Sequence, residues 1–180
     1  MQTLKSQLLK AIASLAVIVG ISFFTEAKTF ASDEIKFRYS IFEASVTVSQ
    51  LEEFTKTGEL DSPLGEFLNQ KAPLNCIVQH ALKQQVMISR KFLDKALNHT
   101  VGEFFLDQAG QVIQMPAGGA NRQALRAALL LSAQDNQVSI IEIIKNYPAQ
   151  HIIVDGEKLE KFQEDFAHFA KILQNLFPKE

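Results

Sequence analysis

Hydrophobic positions along this chain change period several times, and each change marks an element. Ile35, Phe37 and Tyr39 alternate with Lys36, Arg38 and Ser40, the period of a half-buried strand. After a short turn, Ala44, Val46 and Val48 alternate with Ser45 and Thr47, so the two runs together predict a β-hairpin. Ser49 stands three residues before Glu52, a capping-box spacing that predicts a helix from there to Gly58, where a left-handed residue closes it. Ser62-Pro63 predicts a second helix start, and Pro73 a stop and restart near Leu74 to Lys83. Ser89 caps a helix carrying Phe92, Leu93 and Leu97. Thr100 with Glu103 caps another that carries Phe104, Phe105, Ala109, Val112 and Ile113.

The second half of the chain continues in helical register. A turn at Met115-Pro116-Ala117-Gly118-Gly119 precedes a helix that Asn121 can cap, and its ALRAALLLSA run is apolar on almost every side, as expected at the centre of a bundle. In IIEIIKN the β-branched residues permit a strand, while the pattern and the flanking Ser139 favour a helix that Pro148 stops. His151 to Val154 reads as a short strand with the composition to join the hairpin. Leu159, Phe162, Phe166, Phe169, Leu173 and Leu176 recur at spacings of three and four and predict a terminal amphipathic helix, whose stripe is either core or a partner-binding face. The fold class expected is mainly α with a minor β part: a compact helical bundle with an N-terminal hairpin and room for a third short strand. No linker or repeat divides it.

The first residues follow another rule. Lys5 and Lys10 form a basic stretch, Ala11 to Phe24 an uncharged apolar run, and Thr25-Glu26-Ala27 and Thr29-Phe30-Ala31 two small-residue cleavage signals. This is the tripartite signal-peptide pattern, and the apolar run is shorter than the roughly 18–20 residues that span a bilayer. The division expected is a signal peptide over 1–31 and a single domain over 32–180, with cleavage after Ala31 or Ala27 and no stable membrane span afterwards. The periplasm, the thylakoid lumen and the extracellular space all fit such export.

Composition narrows the function classes. The chain has 180 residues, 47% hydrophobic and 21% charged, the balance of one globular domain. Net charge is -2, and it becomes -4 once Lys5, Lys10, Lys28 and Glu26 leave with the leader. No broad basic surface is therefore expected for nucleic acid. The single cysteine, Cys76, excludes an internal disulfide, and burial in a helix is its expected protection. Eleven of the fourteen phenylalanines remain after Phe23, Phe24 and Phe30 are removed, enough to line a cavity for an apolar small molecule or to fill a plain core.

Three stretches carry a family likeness: IKFRYSIFEASVTVSQLEEFTKTGEL, FLDKALNHTVGEFFLDQAGQVIQ, and ALRAALLLSAQDNQVSIIEIIKNYP followed by HIIVD. In their order and spacing, over roughly Ile35 to Leu159, the chain resembles the domain of unknown function at the N-terminus of cyanobacterial α/β-hydrolase-like proteins. The resemblance implies that longer members continue into a hydrolase domain, and this chain stops about where that domain would begin. It carries no G-x-S-x-G, the strand-to-helix elbow that presents a nucleophilic serine in such enzymes. The resemblance brings no functional residues with it.

Candidate chemistry is sparse. Gly118 and Gly119 precede a helix bearing Arg122 and Arg126 one turn apart, so helix N-terminal amides and two guanidiniums are available to a carboxylate or phosphate. A tight turn with two surface ion pairs accounts for the same residues. Cys76 and His80 lie four apart on one helical face, but a closed zinc site needs four ligands and a catalytic pair needs an orienting third group. Glu103 and Asp107 are paired carboxylates of the kind a solvated helix face carries. His99, His151 and His168 are scattered. No catalytic residue, metal or cofactor is expected. The function expected is that of an exported non-catalytic binding or accessory domain, with an α/β-hydrolase or an apolar small molecule as its partner. The alternative is part of a hydrolase acting on esters or lipids, completed by a separate chain.

Overall fold

A computed structural model describes residues 32–71 and 73–162. Residues 1–31, where a signal peptide was expected, and the stripe positions from Phe166 onward lie outside the described residues. Strands β1 (Glu34–Tyr39) and β2 (Phe42–Thr47) form the expected hairpin, with Tyr39 opposite Phe42 and Ile35 opposite Val46. Its two-residue turn puts Ser40 at φ 54° and leaves Ile41 fully exposed. The third strand is present as well. It runs His151–Asp155, one residue beyond the expected end, and lies parallel to β1 with Ile152 opposite Ile35.

Two features went unforeseen. Ile113 leaves the helix in which its apolar spacing had placed it and, with Gln114, forms a short strand against His151–Asp155, Ile113 facing Val154. Numbered along the chain, with β3 (Val86–Met87), β4 (Ile113–Gln114), β5 (Gln137–Val138) and β6 (His151–Asp155), the main sheet has the order β2-β1-β6-β4. β3 and β5 pair separately as a two-stranded ribbon, Val86 opposite Val138. Strands this short carry no readable alternation, which is why the sequence pattern passed over them.

The main sheet buries one face. Ile35, Val46 and Ile152 are 3%, 2% and 0% exposed, while Lys36 and Glu43 on the opposite face form an ion pair at 2.8 Å. Helices α1 (Val48–Thr57), α2 (Pro63–Gln70) and α3 (Leu74–Lys83) follow the hairpin. α4 (Arg90–Leu97), α5 (Thr100–Val112), α6 (Asn121–Ser132) and α7 (Ile140–Lys145) complete the layer, and a further helix starts at residue 156. The fold is mainly α with a minor β part.

Most helix boundaries follow the expected caps. Ser62, Ser89 and Ser139 each accept an amide of their first turn, and Gly58 closes α1 at φ 78°, its amide bonded to the Phe54 carbonyl. The IIEIIKN segment is helical, with Ser139 and Glu142 completing a capping box. Three caps differ. Thr47 with Gln50, instead of Ser49 with Glu52, starts α1, because Val48 is already a buried helical residue, in line with Leu51 and Phe54. His99 caps α5 through its ring, Nδ1 accepting the Val101 amide at 3.3 Å, where Thr100 was expected to do so. α6 has no side-chain cap, Asn121 being engaged elsewhere. Nor is α6 buried all round: Ala124, Leu125 and Ala128 face inward, while Leu131 is 40% exposed.

Candidate functional site

The turn between β4 and α6 is held from behind. Gly118 donates its amide to the Met115 carbonyl at 2.9 Å, and Gly118 and Gly119 take φ values of 68° and 94°, which only glycine adopts freely. Asn121 ties this turn to α5: its Nδ2 donates to the Gly110 carbonyl and its Oδ1 accepts the Met115 amide, both at 3.1 Å. The side chain read as a helix cap is a clamp on the loop instead. Gly110 permits this approach, since a Cβ there would stand 3.2 Å from Asn121 Cβ.

Arg122 and Arg126 project from α6 toward α5. Arg122 forks onto Asp107, with Nε 2.5 Å from Oδ1 and a terminal nitrogen on Oδ2, and its other terminal nitrogen lies 3.4 Å from Glu103 Oε2. Arg126 donates to the Leu97 carbonyl and to Asn98 Oδ1, and stands 3.8 Å from Glu103 Oε1. The hydrogen bond from Arg122, reinforced by its charge, holds the Asp107 carboxyl below its ordinary range against the opposing effect of desolvation. The same bond raises Arg122.

Together these groups form an open pocket of about 290 Å³ between the end of α5 and the start of α6. Asp107, Gly110, Gln111, Gly119, Asn121, Arg122 and Gln123 line it. Of the four residues singled out from sequence, Gly119 and Arg122 reach it. Gly118 is one residue outside, with nothing within 4 Å of where a Cβ would sit, and Arg126 is a turn away beside the end of α4. Two guanidiniums face two carboxylates, so an incoming anion competes with the chain's own acids. A polar uncharged group meets no such competition.

Sequence reasoning missed Gln111 and Gln123, and it separated Glu103 and Asp107 from the arginines they serve. A signal for the latter was present. Two acids four apart and two arginines four apart are complementary sets once their helices pack side by side.

The other candidates do not assemble. Cys76 is exposed, contrary to the expected burial: α3 turns Leu82 inward and leaves Cys76 and Ile77 on its outer side. Among the described residues no group of three or more His, Cys, Asp or Glu side chains is placed to hold a metal ion, and no helix is long and apolar enough to cross a membrane. Of the two stripe positions among the described residues, Leu159 is 36% exposed, while Phe162 packs on Phe105 with ring centroids 5.4 Å apart, against the core.

No curated protein and no solved structure matches the chain. A family described as "Alpha/beta hydrolase of unknown function (DUF1400)" matches residues 31–155, well over half its length. Over that span lie the whole sheet, the seven helices α1 to α7 and the clamped pocket. The chain therefore belongs to the DUF1400 family of alpha/beta hydrolases of unknown function.

Proposed function

We propose that this protein is an exported, non-catalytic accessory domain that docks a polar segment of an α/β-hydrolase in the pocket beside Gly118, Gly119, Arg122 and Arg126. The preformed pocket carries this reading. Its rim is fixed by Asn121 on one side and by the Arg122–Asp107 fork on the other, so little ordering accompanies binding. Its lining of glycine backbone, Gln111, Gln123 and a neutralised charge pair suits a peptide loop better than an apolar small molecule. The family's description as an alpha/beta hydrolase favours a partner of that kind, and the sequence offers no G-x-S-x-G elbow of its own. Export rests on Lys5, Lys10 and the apolar run Ala11 to Phe24, with the periplasm, the thylakoid lumen or the medium as the destination.

The test is purification of the tagged protein from its own cell envelope, followed by identification of bound proteins and assay of the pure chain on short and long acyl esters. An α/β-hydrolase is expected to accompany the wild type and to be lost from Gln123→Glu, with no ester turnover by the chain alone. Turnover by the pure chain, or retention of the hydrolase by the variant, overturns the proposal.

A further inference from the structure

Strand β3 (Val86–Met87) lies in an extended stretch between two helices, with extended backbone at Gln84, which closes α3, and at Ser89, which caps α4. One edge of β3 pairs with β5, and among the described residues no strand lies on the other. The Ile88 amide donates toward β5, to the Asn136 carbonyl at 3.0 Å. Because an antiparallel ladder alternates, the amide and carbonyl of Met87 turn to the outer edge. Val86 is 55% and Met87 76% exposed, although both are apolar. Edge strands are commonly guarded by charge, proline or a covering element, and Gln84-Gln85-Val86-Met87-Ile88 contains neither charge nor proline. Shortness is its protection.

The charges flanking this edge share one sign. From Phe67 to Leu93 the chain carries Lys71, Lys83, Arg90 and Lys91 and no Asp or Glu, in a protein whose 20 acids outnumber its 18 bases. Lys71 is engaged over the Tyr39 and Phe67 rings, at 5.7 and 5.0 Å from their centroids. Lys83 ends α3, and Arg90 and Lys91 begin α4; all three are exposed and belong to no ion pair among the described residues. Asp94, a turn further along α4, and Asp135, ahead of β5, are held locally by Asn98 Nδ2 and the Gln137 amide, both at 3.1 Å. Cations in the first turn of α4 also oppose the helix dipole, which favours acids there. An acidic partner would offset both costs.

We propose that β3 is a docking edge for an extended acidic peptide of another protein. The peptide adds as a strand beside Met87, an apolar residue covering Val86 and Met87, with carboxylates toward Lys83 at one end and Arg90 and Lys91 at the other. A lipid surface matches the cations and the apolar side chains but brings no backbone to pair with Met87. A second copy is opposed by charge. Antiparallel pairing centred on Met87 sets Lys83 of each copy toward Lys91 of the other, the two being equally far from that residue. The edge shares no residue with the pocket and does not depend on the accessory reading.

Fluorescence anisotropy of the purified protein tests it, with a labelled peptide bearing Glu-Glu on either side of Val-Thr-Val-Thr-Val. One control peptide carries lysines for the glutamates, and another a proline for the central valine. The glutamate peptide is expected to bind at least about tenfold more tightly than either control, and Lys83→Glu with Lys91→Glu to weaken it at least about tenfold at an unchanged melting temperature. No binding, or equal binding of a control peptide, overturns the proposal. Sedimentation and phosphatidylglycerol vesicles address the other occupants. A dimer dissolved by Met87→Glu assigns the edge to a second copy, and vesicle binding without peptide binding assigns it to a lipid surface; either result overturns the proposal.

Discussion

Arg122 Nε lies 2.5 Å from Asp107 Oδ1, and this fork joins two helices across fifteen residues of sequence. The bond matters to the pocket because it fixes one wall of it, and it leaves an acid-dependent signature. Asp107 has its folded pKa depressed by the hydrogen bond from Arg122. Its contribution is therefore present above the unfolded carboxylate pKa and is lost as pH falls through the lower folded value. Asp107→Asn removes that contribution, and the effect is small because both side chains remain partly in water. Urea unfolding from neutral pH down to pH ~2 is expected to show wild type above the variant at neutral pH, with the gap closing on acidification. A gap independent of pH would mean that the ion pair is not what the substitution removed.

Tyr147 gives the opposite dependence. Its ring is 0% exposed, and among the described residues its hydroxyl is the buried side-chain polar atom without a hydrogen-bond partner. Burial pushes its pKa up to about 12, from 10.0. Because the folded value is the higher one, the tyrosine's contribution is intact below pH 10.0 and is lost as pH rises toward about 12. Tyr147→Phe removes an unsatisfied hydroxyl, whose desolvation costs about 1–3 kcal/mol, and keeps the ring. The variant is expected to be about 1 kcal/mol more stable at neutral pH and to lose less above pH ~10. Thermal and urea melts of both proteins decide it, and a destabilised variant would show that the hydroxyl has a partner.

Gly102 lies where the start of α5 passes the end of α4. A Cβ there would stand 2.0 Å from the Ala96 carbonyl oxygen and 2.8 Å from Leu97 Cα, both backbone atoms. Gly102→Ala is expected to cost about 1–3 kcal/mol, outweighing the ~1 kcal/mol that alanine gains in a helix. Gly118→Ala meets nothing within 4 Å and is strained only by its φ of 68°. It should cost roughly 1–2 kcal/mol. Denaturant midpoints for the pair separate the close approach from the backbone strain, since only Gly102→Ala should also disturb the neighbouring Glu103.

The chain announces its fold wherever a period runs long enough. The hairpin, the Ser62-Pro63 start, the Gly58 stop and the Ser139 cap are local, and each was readable from a few adjacent residues. What escaped is nonlocal. β4 exists because Val154 offers Ile113 a partner forty-one residues away, and nothing around Ile113 separates a last helical residue from a first strand residue. Asn121 looks like a cap because asparagine caps helices, and the carbonyl of Gly110 that claims its side chain comes near only after folding. Arg122 and Arg126 carried charge patterning suited to an anion, and the acids that occupy them sit on another helix. The pocket was legible as a polar cluster. Its neutrality was not.

The start of α1 offers two capping boxes in overlapping register, and the fold uses one. Thr47 Oγ1 accepts the Gln50 amide at 3.1 Å, and Gln50 Oε1 accepts the Thr47 amide at 2.9 Å. Ser49 and Glu52 have the same spacing with the more favoured acidic partner, yet Ser49 lies inside the helix. Burial decides between them. Starting at Val48 sets Val48, Leu51 and Phe54 on one inward stripe, and the Val48 amide finds the Asp33 carbonyl at 3.1 Å. Starting two residues later would strand a buried valine and an amide that helps to anchor the N-terminal segment. Thr47→Ala is therefore expected to cost about 1 kcal/mol, the ordinary worth of an N-cap, and Ser49→Ala to stay within about 0.5 kcal/mol of wild type. Urea midpoints measure both, and a larger loss from Ser49→Ala would show that the later box caps the helix.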